Sequence, residues 1–468
     1  MSTVELRPYQ DELIIGARQH FRAGRKRVLL QLATGGGKTA TASRMLRNAV
    51  ERGRRAWFNV HRRELAAQVA SALTKEGIEY GLIMPGAKCN LDALVQINSI
   101  PTVVNRLDRL PPPDLIVFDE CHHVAAGSWS KIANFFPDAY QLGLSATPQR
   151  LDGAGLGNYF DAMVCGPSVA WLIEQEFLCD FRLFSPGTID RSKLGKLAGE
   201  FRNDQSSALM SDPKIVGNVI AHYKQHAPGS RGLAFCTSVK TSQGYAAKFT
   251  ESGIPSVHID GKTNDHVRDK IMEDFAAGHI RVLCNVDLFG EGYDCPALET
   301  VMLLRPTMSL SMYLQQVGRA LRTAPGKTYA TILDHVGNSD FHGDPDIDRE
   351  WKLTTGVASK KTDEVPSPRV CPSCYAHNRA GSQRCKVCGS LFPVQGREVD
   401  EVDGELEEKE IQRRLKNQMI ERAAKTQDYD GLLFIAKQHG YADPAAWASW
   451  VMEERRKERA KPKKRWGT

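Results

Sequence analysis

A glycine-rich run, Leu32 to Thr39 (LATGGGKT), lies between an apolar strand-like stretch and a helix-like one, and it constrains the local fold more than any other feature of the chain. With Val28 to Leu32 before it, the segment reads as strand, loop, helix. After Thr34, the absence of side chains at Gly35, Gly36 and Gly37 lets backbone N–H groups converge on phosphate oxygens, and the N-terminus of the following helix adds partial positive charge. Lys38 is placed to neutralise the outer phosphates, and the Thr39 hydroxyl suits Mg²⁺. Leu32 stands where the phosphate-loop pattern has Ala or Gly, a departure that touches the strand end and leaves the phosphate cradle intact. A chance glycine-rich turn would need no acidic partner, yet one follows 80 positions later at Asp119-Glu120-Cys121-His122.

That acidic pair ends the apolar run Asp114 to Asp119 (DLIVFD), behind three prolines, the pattern of a strand buried on both faces of a parallel sheet. Its carboxylates therefore emerge at the strand's C-terminal end, where ligands of open α/β sheets bind. A cation held by phosphates needs few protein oxygens, so Asp119 suffices, directly or through water. Glu120 is the candidate to orient or deprotonate an attacking water.

Further along, DECH, Ser145 to Pro148 (SATP) and Gln315 to Arg322 (QQVGRALR) resemble motifs II, III and VI of superfamily-two helicases of the DEAD/DEAH type. Leu6 to Gln10 (LRPYQ) resembles the adenine-reading motif that precedes the phosphate loop, with Arg7 and Gln10 as its nucleotide contacts. Val60 to Gln68 resembles motif Ia, and Gly290 to Asp294 (GEGYD) resembles motif V. Ile332 to Asn338 (ILDHVGN), followed by a four-cysteine module, is similar to the RadD-like branch of bacterial DNA repair helicases. The resemblance implies two tandem RecA-like α/β lobes with an ATP cleft between them. It further implies Arg322 as an arginine finger, Arg319 as a phosphate contact, Gln315 nearby and Asp294 near the ribose. By the same analogy Ser145 and Thr147 pass the nucleotide state to a nucleic-acid face, and His122 hydrogen-bonds across to the second lobe. Surface ion pairs on a helix are the plainer reading of the two arginines, but both fall at the motif spacing.

At 468 residues, 41% apolar and 25% charged, the chain has room for about three domains at roughly 150 residues each. Strand-like runs separated by helix-like ones place an ATP-binding lobe at 1–165 and a connecting helix and linker at 166–203. A second lobe follows at 204–345, then a zinc ribbon at 366–395, an acidic linker at 396–410 and a helical region with a basic tail at 411–468. Arg62 and Arg63 open a helix-like segment after a strand, a place suited to a nucleic-acid phosphate. No aromatic stacking platform is visible, so binding should be sequence-tolerant and salt-sensitive.

Cys371-Pro-Ser-Cys374 and Cys385-Lys-Val-Cys388 make two CxxC knuckles, which together offer the four thiolates of a closed structural Zn²⁺ site. The competing redox-pair reading needs a βαβ context that neither knuckle has. Cys89, Cys121, Cys165, Cys179, Cys236, Cys284 and Cys295 are scattered singly and resemble small buried hydrophobes, not a disulfide framework. Net charge is +7, and residues 453–468 carry a surplus of five, with eight Lys/Arg against three Glu. Such a basic tail attracts phosphate backbones, although a merely solvated end has the same composition. Ile411, Leu415, Met419 and Ala423 share a helical face, and Asp443-Pro444 reads as a helix cap with Trp447, Trp450 and Val451 in the helix core behind it. No apolar run approaches the ~20 residues that cross a bilayer, and the polar start has no signal-peptide core, so a cytoplasmic, nucleoid-associated chain is expected, in the host cytoplasm if phage-encoded. The residues together imply ATP, Mg²⁺ and structural Zn²⁺ as cofactors and an ATP-dependent nucleic-acid translocase or helicase. The resemblance favours DNA over RNA and adds repair or replication proteins, such as a single-strand-binding protein, as partners. An ATPase that remodels protein–nucleic-acid complexes without strand separation, an RNA helicase and a nucleotide-switched scaffold are the alternatives.

Overall fold

In the computed structural model, the structure describes residues 5–392, except 124–126, 151–153, 186–193, 198–199, 212, 290–297, 355, 358–367 and 380, and then residues 429–438 and 443–460. Two compact units divide the chain, residues 1–392 and 393–468.

The first lobe is built on seven strands: β1 (Arg27–Gln31), β2 (Ala56–Val60), β3 (Tyr80–Ile83), β4 (Val95–Ser99), β5 (Leu115–Phe118), β6 (Tyr140–Ser145) and β7 (Ala162–Cys165). They pair in the order β3-β4-β2-β5-β6-β1-β7, every pair parallel. The helices are α1 (Pro8–Arg22), α2 (Lys38–Val50), α3 (Arg63–Lys75), α4 (Ile100–Val103), α5 (Gly127–Phe135) and α6 (Val169–Glu174). Every residue of β2 and of β5 is buried, as the apolar runs require of strands covered on both faces.

The second lobe contains β8 (Asp180–Phe184), the short hairpin β9 (Lys196–Leu197) and β10 (Glu200–Phe201), then β11 (Gly232–Phe235), β12 (Ser256–Ile259), β13 (Val282–Asn285), β14 (Thr300–Leu303) and β15 (Tyr329–Asp334). Its sheet runs β12-β13-β11-β14-β15-β8, again all parallel. Helices α7 (Asn203–Met210), α8 (Pro213–His226), α9 (Val239–Glu251), α10 (Asp265–Ala276), α11 (Leu310–Ala320) and α12 (Asn338–His342) complete it. Side chains of Ser238, Asn264 and Ser309 accept backbone N–H bonds at the starts of α9, α10 and α11, so their loops end where the sequence supplies a cap.

The two-lobe expectation holds, and three strands add to it. β3 and β7 flank the first sheet, and β8 lies inside the stretch expected to be linker, 166–203, yet pairs with β15 and belongs to the second lobe. Each is a short run of four or five residues, too short to show a firm period in the sequence, and all three sit at sheet edges.

The cysteine module packs directly on the second lobe. Its small hairpin pairs Arg369–Val370 with His377–Asn378, Ala376 bridges to Phe184 at the end of β8, and the Ser185 N–H donates to Tyr375 O at 3.2 Å. His377, fully enclosed, sets Nδ1 3.0 Å from Asp344 Oδ1, and Lys386 lies over the Phe181 ring at 5.5 Å. The ribbon thereby covers an edge strand that would otherwise present unpaired backbone groups.

In the second unit, helices Tyr429–Gln438 and Pro444–Ala460 pack together over Leu432, Ala436 and Ala448. The Ala446 N–H donates to Asp443 Oδ1 at 2.9 Å, the cap expected of Asp443-Pro444. The acidic linker, the Ile411 to Ala423 stripe and residues 461–468 lie outside the described residues. Among the described residues no helix is long and apolar enough to cross a membrane.

Candidate active site

The phosphate loop leaves β1 and enters α2 with Gly37 as N-cap at φ 91°, a left-handed conformation that disfavours any side chain. A Cβ at Gly37 would lie 2.1 Å from Gln10 Nε2. That amide donates to Gly36 O at 3.0 Å, Tyr9 Oη donates to the same carbonyl at 2.8 Å, and Gln10 Oε1 accepts the Arg7 N–H at 3.0 Å. Gln10, expected as an adenine contact, bonds to the phosphate loop.

Thr34, Gly35, Gly37, Lys38 and Thr39 line a cavity of about 330 Å³ together with Asp119 and Glu120 from the end of β5 and with Arg319 and Arg322 from the second lobe. Lys38 Nζ stands 3.6 Å from Glu120 Oε1. Glu120 adopts φ 49°, unusual for a residue with a side chain, and its N–H donates to Asp119 Oδ1 at 3.1 Å. Burial, with Glu120 repulsion adding and Lys38 opposing, pushes the Asp119 carboxyl up to about 7. Asp119 and the Thr39 hydroxyl would hold a divalent cation, whose charge would offset that cost, so the donor set fits Mg²⁺.

The second lobe closes the site through α11. Gln315 Nε2 reaches Glu120 Oε2 at 3.3 Å, and Arg319 and Arg322 face the cavity, where enclosure pulls the Arg322 guanidinium down to about 10. It stays charged at neutral pH, partly desolvated and aimed at the phosphate loop. A Cβ on Gly318 would fall 2.5 Å from Thr34 Cβ, so α11 lies against the loop with no room to spare. A larger cavity of about 500 Å³ opens on the other side of this contact; it meets the loop only through Ala33 and Thr34 and includes neither Lys38 nor the acidic pair.

The coupling residues fall at the same seam. Ser145 Oγ accepts the Thr147 N–H at 3.1 Å, and Thr147 Oγ1 meets Ser311 Oγ of α11 at 2.5 Å. His122 Nδ1 lies 3.4 Å from Glu120 Oε2 and 3.5 Å from Ser145 Oγ, contacts within the first lobe. Gln315 of the second lobe reaches the same Glu120 carboxylate that His122 approaches. Arg62 donates to Asp287 O at 2.9 Å and Arg63 stands 4.0 Å from Asp265, so both reach toward the second lobe at the start of α3. Asp294 lies outside the described residues.

Phe177 is a site residue that was invisible in the sequence. It follows α6 and lines the nucleotide cavity, and Arg7 stacks over its ring at 4.7 Å. Nothing local marks this aromatic, because its role depends on the connecting segment folding back over the first lobe.

Away from the cleft, the four cysteine sulfurs lie within 4.8 Å of one another, with Cys371–Cys388 and Cys374–Cys385 each at 3.6 Å. A tetrahedral four-thiolate shell with bonds of about 2.3 Å has edges of about 3.8 Å, close to this spacing. Val387 N–H and Asn378 Nδ2 point at Cys385 Sγ, the kind of donors that support a metal-bound thiolate.

Residues 3–150 match the family described as type III restriction enzyme, res subunit, and residues 213–324 match the helicase conserved C-terminal domain. A 51.5 kDa protein of a Lactococcus phage is 36% identical over 369 residues, 78% of this chain and 78% of that protein. A Saccharomyces cerevisiae protein assigned as the ATP-dependent helicase IRC3 is 31% identical over 356 residues; the match takes in 71% of this chain and 52% of the yeast protein, so the chain spans about half of that relative. Among solved structures, a fragment assigned as the HsdR subunit of a type I restriction enzyme from Vibrio vulnificus overlays with a TM-score of 0.58 at 23% identity, covering 73% of this chain and 66% of that one. The DNA-bound type ISP restriction-modification enzyme LlaBIII overlays at 0.54 and 18% identity, over 71% of this chain and 28% of that one. Both overlays concern the fold alone.

Proposed function

The chain is a superfamily-two helicase of the DEAD/DEAH type, and from that premise we propose that it couples ATP hydrolysis to movement along nucleic acid, with DNA as the substrate. ATP and Mg²⁺ are what the family brings to the cleft. Lys38, the loop amides and Thr39 would hold the phosphates and, with Asp119, the cation; Glu120 would orient the water, and Arg319 and Arg322 would stabilise charge on the transferred phosphoryl oxygens. The observation that carries this reading is the crossing at Glu120, where Lys38 of the first lobe and Gln315 of the second meet one carboxylate. Hydrolysis in such a site requires the cleft to be closed, and closure is what a bound strand across both lobes would favour.

Arg7 and Phe177 form the nucleobase side of the site, and Arg62, Arg63, Ser145 and Thr147 carry the coupling to the strand. Zn²⁺ fits the four-thiolate cluster and supplies a fixed shell there, with no position left for a water. The similarity of Ile332 to Asn338 and the cysteine module to the RadD-like branch supports DNA repair, recombination or replication as the setting. The phage relative supports a bacterial host cytoplasm as the location, and the proposed repair partners include a single-strand-binding protein.

Steady-state ATP turnover titrated with single-stranded DNA, duplex, fork and RNA tests the proposal. Stimulation of at least about tenfold by a DNA form, exceeding that by RNA, is expected. Stimulation by RNA alone would assign the chain to RNA, and turnover unresponsive to any nucleic acid would overturn the reading. A fork-displacement assay separates helicase from remodelling ATPase.

A further inference from the structure

Helix α11 ends at Ala320, so the carbonyls of its last turn have no partner within the helix, and the two arginines of the cleft sit on this end or just past it. A single side chain takes one of them together with two carbonyls outside the helix. The Lys327 ammonium donates to Ala320 O, to Arg322 O at 2.8 Å and to Leu298 O at 2.6 Å. An ammonium has three donors, and here three carbonyls lie within their reach. Beside it the Cys179 N–H donates to Leu321 O at 2.8 Å, and its Sγ lies 3.5 Å from Ala320 O. Leu298 is buried and stands two residues before β14, so the same lysine ties the approach to β14 to the arginine-bearing helix end.

We propose that Lys327 is a positioning residue for the arginine finger: its tripod on the carbonyls of Ala320, Arg322 and Leu298 sets the direction in which Arg322 enters the nucleotide cavity. Positive charge at a helix C-terminus is favourable in its own right, but a dipole interaction alone does not demand three directed bonds. The lysine lies between α11 and β15, and two of its three carbonyls, Ala320 O and Arg322 O, belong to the backbone that carries Arg322. The proposal rests on the reading of Arg322 as the finger, and it extends that reading from the guanidinium to the backbone behind it.

Lys327→Met removes the donors at similar length, and Lys327→Arg keeps the charge while replacing the tripod with a planar fork. Each is to be measured alone and combined with Arg322→Ala in the full-length, zinc-loaded chain. Each single variant should lower nucleic-acid-stimulated kcat by about tenfold or more while leaving the KM for ATP within about threefold, the pattern of a misplaced transition-state group. Added to Arg322→Ala, neither should cause further loss, because both changes act through one guanidinium. If Lys327→Met does not fold, Lys327→Arg carries the test. Undiminished turnover in a folded Lys327 variant, or losses that multiply with that of Arg322→Ala, overturns the proposal. Should Arg322→Ala itself keep full stimulated turnover, the finger reading falls and this proposal with it; a dead Arg322→Ala beside active Lys327 variants sinks the Lys327 role alone.

Discussion

At Glu120 a backbone strain, a cross-lobe hydrogen bond and a lysine contact converge on one carboxylate. Glu120→Gln should preserve ATP binding and lower turnover by about 10² to 10⁴, the usual worth of a positioned base, because Lys38, Thr39 and Asp119 are untouched. Near-normal turnover in stopped-flow or steady-state assays would place the water-orienting group elsewhere. Phe177 makes a different claim. With Arg7 over its ring, it offers an aromatic face to the nucleobase, so Phe177→Ala should weaken ATP binding by about tenfold, on the order of one lost stack. Binding of inorganic triphosphate, which has no base, should stay unchanged, and equal losses for both ligands would show that the ring only shapes the loop. The phosphate loop, the acidic pair and the arginines were legible in the sequence because their chemistry is local and evenly spaced. Phe177 and Lys327 were not, since each acquires its role from partners far away in the chain.

Elements show where reading the sequence by segments runs short. Treated as a separate domain, the cysteine module has no bearing on the lobes; in the structure Ala376 bridges Phe184, and Cys371, Cys374 and Cys385 join the same apolar cluster as β8 and β15. Most central strands were readable as apolar runs, but the pairing of β8 with β15 was not, because a short run at a sheet edge shows no period of its own. Removing Zn²⁺ with a chelator should therefore lower the melting temperature of the second lobe, by at least about 5 °C, instead of merely freeing a ribbon. Elemental analysis should find one zinc per chain, and a melting curve indifferent to chelation would return the module to independence. A second device lies beside this contact. His335, at the end of β15, stacks on His222 of α8 at 5.2 Å between ring centres. Burial, helped by His222 and His226, brings it from 6.5 down to about 3. The fold holds the neutral imidazole while the unfolded chain takes up a proton below about 6.5, so stability is full above that range and is lost as pH falls towards 3. Urea midpoints at pH 7 and pH 5 should show this loss, and His335→Gln should flatten the slope; an unchanged slope would assign it to other groups.

For the whole molecule the relevant quantity is the closeness of the two lobes, which meet through side chains at Gln315–Glu120 and Thr147–Ser311 and through bare backbone at Gly318. Side-chain contacts tolerate some opening. Gly318 does not, because an added Cβ would come within 2.5 Å of Thr34 Cβ and one of the two elements must then retreat. Each lobe has its own parallel sheet, so Gly318→Ala should leave both folded and act only on their approach. Inside the helix the change even favours α11 by about 1 kcal/mol, which separates a closure defect from a stability defect. An arginine held back by an ångström typically loses about 10² in rate, so nucleic-acid-stimulated kcat should fall by that order while ATP binding to the first lobe barely moves. The melting temperature should hold or rise. Wild-type turnover in Gly318→Ala would mean that the helix slides past the loop freely, and the tight seam between the lobes would then have no part in timing hydrolysis.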